Sequence, residues 1–374
     1  MEQHHPSPRH RARPLAVLAA VLGCSVVVGG QPPAAAAPPL TPASTPTPTL
    51  AQMVGQRLVV AFSGTTADGW LKGRIRAGQV GGVILFGNNI SSASQLHALT
   101  ASLQAAAQAG HQPRLLISTD QEGGEVRRLS WAPPVDSAQQ LGTAGATASG
   151  NAGTAAGAAL AANGINVDLA PVADVPAGSA DFIEQQHRAF STNRFKVAVD
   201  AAAFAAGLES KHVWPTYKHF PGLGLATKST DTSQVTINAS AATLTNGVFP
   251  YQIAIRRHLK PLVMLSTAVY PALASSPAAW SPGIIQNFLR QKIAFTGPTI
   301  TDSLDAAAAV RRFSITAVSL ASARAGADFL LITGSEKESA GVYNSLLTAA
   351  KSGQLTTSDL NASYHRILAF KTHL

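Results

Sequence analysis

An α/β fold, a single (β/α)8 barrel of the TIM type, is what this sequence predicts. Three observations lead to it. Short, near-continuous apolar runs recur along the chain, the mark of strands covered on both faces of a parallel sheet. Alanine-rich stretches separate them and close on glycine, as helices with C-caps do. No GxGxxG follows the first run, so a Rossmann-like open sheet is the weaker reading.

In chain order the runs are LVVAF (58–62), VGGVILF (80–86), RLLISTD (114–120) and INVDLAP (165–171). WPTYKHF (214–220), PLVMLST (261–267), PTITDSL (298–304) and FLLITG (329–334) complete the set of eight. Between them, SASQLHALTASLQAAAQAG (92–110) and NAGTAAGAALAANG (151–164) read as helices. Residues 50–374 form one domain, long enough to bury a sizeable core.

Residues 1–30 read as an export signal. A polar start with Arg9, Arg11 and Arg13 precedes the apolar run Leu15–Gly30, which is shorter than the ~20 residues of a membrane span. The sole cysteine, Cys24, lies in VLGCS, which is similar to a lipobox. Lipid attachment there is the expectation, and cleavage near Ala34–Ala37 is the alternative. Residues 31–49 are proline-rich and uncharged, so they read as an extended spacer. The chain is then exported, either lipid-anchored at the cell membrane or released into the envelope.

The formal net charge is +9, yet only 13% of residues are charged and the cations are scattered. That argues against nucleic acid and leaves a mild attraction to anionic envelope polymers. No cofactor or metal is expected: around Lys218 and His219 no second ligand stands at metal spacing. No GxSxG elbow occurs, and Cys24 lies outside the domain, so a Ser or Cys nucleophile has little support.

Chemistry on a barrel sits past the C-terminal ends of its strands. The third run ends in Asp120 and continues QEGGEVRRL; the fifth ends in Lys218 and His219; the seventh ends in Thr301, Asp302 and Ser303. Asp302, beside a helix start, suits a nucleophile held ionised, or else a helix cap, for which Ser303 and Asp305 compete. Asp120 with the arginines that follow suits sugar hydroxyls, or else a structural ion pair.

Together these segments resemble glycoside hydrolase family 3, in its single-domain β-N-acetylglucosaminidase branch, as found in exported lipoproteins. The likeness runs through LFGNNI (85–90), DQEGGEVRRL (120–129), NVDLAPVADV (166–175), HRAFS (187–191), KHFPGLG (218–224), VMLSTAVYP (263–271), ITDSL (300–304) and AGADFLL (325–331). The resemblance implies a retaining route on a β-linked amino-sugar oligosaccharide. Asp302 falls on the nucleophile, and Asp120, Arg128, Arg188, Lys218 and His219 fall on the sugar-holding set. A monomer is the default.

One stretch departs from the pattern. KHFPGLGLATKSTDTSQ (218–234) has Leu223 in place of a usual loop histidine. Where that branch carries an Asp-His acid/base dyad, this chain reads Asp231-Thr232-Ser233. Three outcomes are open: Asp231 alone is the acid/base; Glu122, Asp174, Asp181 or Glu184 replaces it; or the barrel binds sugar with little turnover. A β-glucosidase-like hydrolase is a further alternative. Gly222 and Gly224 are the expected hinges of the loop.

Overall fold

A computed structural model describes residues 48–374. The expected signal, Cys24 and the spacer through residue 47 lie outside the described residues.

The eight expected strands all form. They are β1 (Leu58–Val60), β2 (Gly82–Ile84), β3 (Leu116–Thr119), β4 (Val167–Asp168), β5 (Trp214–Phe220), β6 (Leu262–Leu265), β7 (Thr299–Thr301) and β8 (Leu330–Ile332). Each pairs in parallel with its chain neighbours, and Leu58 of β1 lies opposite Leu330 of β8. Between β7 and β8, Ile300 bridges Phe329 in parallel, with Phe329 N–H donating to the Thr299 carbonyl at 2.8 Å. The barrel is therefore closed.

Strand side chains alternate between two apolar compartments. Val59, Ile84, Leu116, Met264, Ile300 and Leu331 point into the barrel. Leu58, Val60, Val83, Ile117, Val263 and Leu265 face the surrounding helices. Both sides are apolar, so the strands read as continuous hydrophobic runs and not as alternation. The helix Ala93–Ala109 matches the sequence expectation closely. The next, Ala146–Ala162, begins five residues before the expected start, following Gly145 at φ 96°. A Cβ on its Gly153 would lie 2.1 Å from the Phe204 carbonyl oxygen, so glycine there lets this helix meet Arg194–Glu209 closely.

The two ends of the barrel differ. At the N-terminal end the last helix, Thr357–Lys371, folds across the opening. Its Ile367 and Phe370 belong to the interior cluster, and Phe370 meets Trp214 edge-on at 6.4 Å. The C-terminal end is left open by the loops that follow the strands. Sequence reasoning did not foresee the plug helix, whose apolar residues also suit an ordinary outer helix.

Candidate active site

A cavity of about 520 Å³ opens at the C-terminal end, within the usual range for small-ligand sites. Ile84, Leu169, Met264 and Leu331 form its floor, the top of the interior core. Every residue named from the resemblance lines it: Asp120, Arg128, Arg188, Lys218, His219, Asp231 and Asp302. Residues up to 182 positions apart in the chain converge because they end or follow four parallel strands, β3, β4, β5 and β7.

One wall is an ion network. After β3 the chain makes a small hairpin, Gln121–Gly123 with Val126–Arg127, which turns Glu122 inward. Arg188 grips Glu122 with two parallel bonds, Nε to Oε2 and Nη2 to Oε1, both 2.8 Å. Lys218 Nζ reaches Glu122 Oε1 at 2.7 Å and Asp120 Oδ1 at 2.8 Å. Arg128 Nη2 stands 3.7 Å from Asp120 Oδ2. Burial opposes the charge on Glu122, but Arg188 and Lys218 outweigh it and hold its pKa at about 2. Burial likewise opposes the charge on Lys218, yet Asp120 and Glu122 raise its pKa. Glu122 is therefore held charged at neutral pH, and this wall presents fixed donors and acceptors to the cavity.

A second carboxylate orients His219. Its Nδ1 lies 2.7 Å from Asp174 Oδ2, and its backbone N–H donates to Asp174 Oδ1 at 3.1 Å. The Leu223 N–H donates to the same Oδ1 at 2.6 Å. Asp174 thus fixes the ring with Nδ1–H toward the carboxylate and Nε2 left for the cavity. It also ties down the start of the loop 223–236. Leu223 is buried and presents no polar group to the cavity.

The loop glycines divide the work. Gly222 has φ +133°, a conformation that favours glycine. Gly224 is a point of contact and not a free hinge: a Cβ there would lie 2.4 Å from the Val175 carbonyl carbon and oxygen. Farther along, Ser233 N–H donates to the Ser229 carbonyl, and Asp231 N–H to Ser229 Oγ at 3.2 Å. That turn sets Asp231 at the cavity mouth. Its side chain is exposed on the solvent side, yet partial desolvation in the mouth raises its pKa, and nearby Asp302 raises it further.

Asp302 follows β7 directly, and its backbone N–H donates to the Leu265 carbonyl at 2.9 Å. Ser303, not Asp302, caps the helix Leu304–Arg311, with Ser303 Oγ accepting from Ala306 N–H. The capping alternative for Asp302 is therefore removed, and its carboxylate lines the cavity.

The profile described as Glycosyl hydrolase family 3 N terminal domain matches residues 49–370. The chain belongs to glycosyl hydrolase family 3. A protein of Arthroderma benhamiae, named an uncharacterized secreted glycosyl hydrolase, is 35% identical over 87% of this chain and 94% of its own length. The structure of a family 3 β-N-acetylglucosaminidase from Paenibacillus superposes with a TM-score of 0.83 at 30% identity. That match covers 87% of this chain and 63% of the Paenibacillus chain. A β-N-acetylhexosaminidase from Beutenbergia cavernae gives 0.81 at 32% identity, over 87% of this chain and 99% of that one.

Within this family 3 barrel, the other acids that the sequence offers as donors are engaged elsewhere. Glu122 is locked in the ion network. Asp174 is fully buried on His219. Asp181 accepts from the Ala177 and Gly178 N–H groups at 2.7 and 2.9 Å, and Glu184 accepts from Gln139 at 2.8 Å. The orienting role of Asp174 and the clamp on Arg188 by Glu122 were missed from sequence. Their only signal was an acid two positions after Asp120 and another at the end of APVAD.

Proposed function

We propose that the protein hydrolyses terminal β-linked N-acetylglucosamine, from oligosaccharides of the peptidoglycan or chitin type, by a retaining two-step route. Asp302 attacks the anomeric carbon while Asp231 protonates the departing glycosidic oxygen, leaving a glycosyl ester on Asp302. Asp231, now ionised, takes a proton from water; the hydroxide adds to the anomeric carbon and frees Asp302. Asp120, Arg128, Arg188, Lys218 and His219 hold the sugar hydroxyls. Residues 1–30 export the chain, Cys24 carries a lipid, and residues 31–49 space the domain from the membrane.

One observation carries the reading. Of the four acids on the cavity wall, Asp120 and Glu122 are paired with cations, whereas Asp231 and Asp302 form no ion pair among the described residues. Partial desolvation at the cavity mouth and nearby Asp302 push the Asp231 pKa up, as a proton donor requires. The hydroxyls of Thr232 and Ser233 titrate too far from neutrality to substitute.

The test compares wild type, Asp302→Ala and Asp231→Asn on an aryl β-N-acetylglucosaminide and on N,N′-diacetylchitobiose. Asp302→Ala abolishes turnover of both. Asp231→Asn slows the disaccharide about 10²–10⁴-fold and the aryl substrate far less, because a good leaving group needs little acid help. Sugar binding without turnover by wild type on either substrate would make the barrel a binding protein. An unimpaired Asp302→Ala would refute the nucleophile.

A further inference from the structure

The cations look scattered in sequence, but the topology gathers them. Every segment that enters a barrel strand lies at the N-terminal end, opposite the sugar cavity. The segment before β2 exposes Arg76; that before β3 exposes His111 and Arg114; that before β5 exposes Lys211 and His212. Before β6 stands Arg256-Arg257-His258-Leu259-Lys260, with all four basic side chains exposed. Lys292 precedes β7, Arg324 precedes β8, and the plug helix adds His365 and, just beyond it, His373.

Few acids oppose them. Asp328 is buried and already held by Arg290 at 2.7 Å and Arg366 at 2.8 Å. Glu209 is half-buried and accepts from the Lys260 backbone N–H at 2.9 Å. Asp359 accepts from Thr356 Oγ1 at 2.7 Å. The eight exposed lysines and arginines named above thus stand against the carboxylates of Glu209 and Asp359, Asp328 being already paired.

The same face holds a cavity of about 630 Å³. Ile255, Leu259, Phe295 and Phe370 give it apolar walls, and Lys260 and His365 stand among its lining residues. Cations beside an apolar slot fit an amphiphile with an anionic head, whereas a soluble polyanion would leave the slot unused. The described chain also enters the domain here: helix Leu50–Gly55 ends at Gln56, whose Oε1 accepts from Lys371 Nζ of the plug helix at 2.6 Å. No helix among the described residues is long and apolar enough to cross a membrane.

We propose that the N-terminal face of the barrel docks on an anionic phospholipid membrane, with basic side chains on headgroup phosphates and the sugar cavity pointed away. The proposal rests on the export reading above and is independent of the chemistry at Asp302. Each basic residue near such a surface strengthens binding roughly fivefold, within about a Debye length.

The test is co-sedimentation of the full chain carrying Cys24→Ser with phosphatidylglycerol and phosphatidylcholine vesicles at 50 and 500 mM salt. Binding to the anionic vesicles that weakens with salt is expected. Arg256→Gln/Arg257→Gln/Lys260→Gln lowers that binding about 100-fold. Arg312→Gln/Lys337→Gln, which removes exposed cations at neither this face nor the cavity, changes it little. Ala369→Glu, placing a carboxylate in the apolar slot, weakens vesicle binding but not binding to a soluble polyphosphate. Hydrolysis of an aryl glycoside, or sugar binding should turnover be absent, reports that each variant is folded. Equal vesicle binding by wild type and the triple variant would assign attachment to residues 1–49 and overturn the proposal. Tighter binding to DNA or polyphosphate than to vesicles would overturn it in favour of a polymer.

Discussion

Replacing Glu122 with glutamine removes one charge from the wall of the cavity while keeping its shape. Glu122 is 5% exposed, with both oxygens within 2.8 Å of a cation. Its pKa falls from 4.5 to about 2 on folding, the balance left after burial has opposed it and Arg188 and Lys218 have prevailed. Such a shift corresponds to on the order of 3 kcal/mol of stability. Stranding Arg188 and Lys218 beside Asp120 alone points to a similar cost, because breaking a buried pair typically costs about 3–5 kcal/mol.

The sign follows from the depressed pKa. The contribution is full above the unfolded-state value near 4.5 and is lost as pH falls through about 2. The stability gap between wild type and Glu122→Gln should therefore be about 3 kcal/mol at pH 6 and only about 1.4 kcal/mol at pH 3. Urea unfolding at both pH values measures it, using one slope for both proteins. In melting terms the pH 6 gap is roughly 4–5 °C, at about 2 cal/mol/K of unfolding entropy per residue. KM for the aryl glycoside should rise with it, since Arg188 loses its bidentate anchor. A gap that is absent at pH 6, or that does not shrink toward pH 3, would refute the account of the network.

Four other outcomes follow from the same geometry. Arg188→Lys should raise KM at least tenfold without restoring wild-type stability, because an ammonium cannot make the two parallel bonds to Glu122. Disaccharide turnover should fall as pH rises through the elevated pKa of Asp231, and Asp231→Asn should lose that alkaline limb; a limb unchanged in the variant places the donor elsewhere. Gly224→Ala should push the 223–236 loop off Val175, costing about 1–3 kcal/mol and raising KM, as unfolding and steady-state kinetics would show. Asp168 is fully buried, with one oxygen accepting from Gln121 N–H at 3.0 Å, and burial pushes its pKa up to about 8. The unfolded chain gives up that proton near pH 4 and the folded one does not. Wild type should thus lose about 1.4 kcal/mol per pH unit from pH 4 toward pH 8, and Asp168→Asn should not; equal slopes between pH 5 and 7.5 exclude the buried neutral acid.

The parts of this protein that were legible in sequence are those written locally. A run such as LVVAF, short, rich in β-branched residues and apolar on both faces, suits an inner strand, and all eight such runs became strands. The end of each strand is equally local, so Asp120, Lys218, His219 and Asp302 could be placed on one rim before any fold was known. What stayed hidden depends on partners far away in the chain. Asp174 carries no mark of its own that separates it from a proton donor; only the approach of His219 and Leu223 decides the matter. Ile367 and Phe370 have the spacing of any amphipathic helix, and nothing in that spacing tells an outer wall from a plug. Asp231 shows both sides of this limit. Its place in the chain shows where the resemblance implies a histidine, while the proposed role without one rests on Asp302, 71 residues later, and on the loop that brings the two carboxylates to the same cavity.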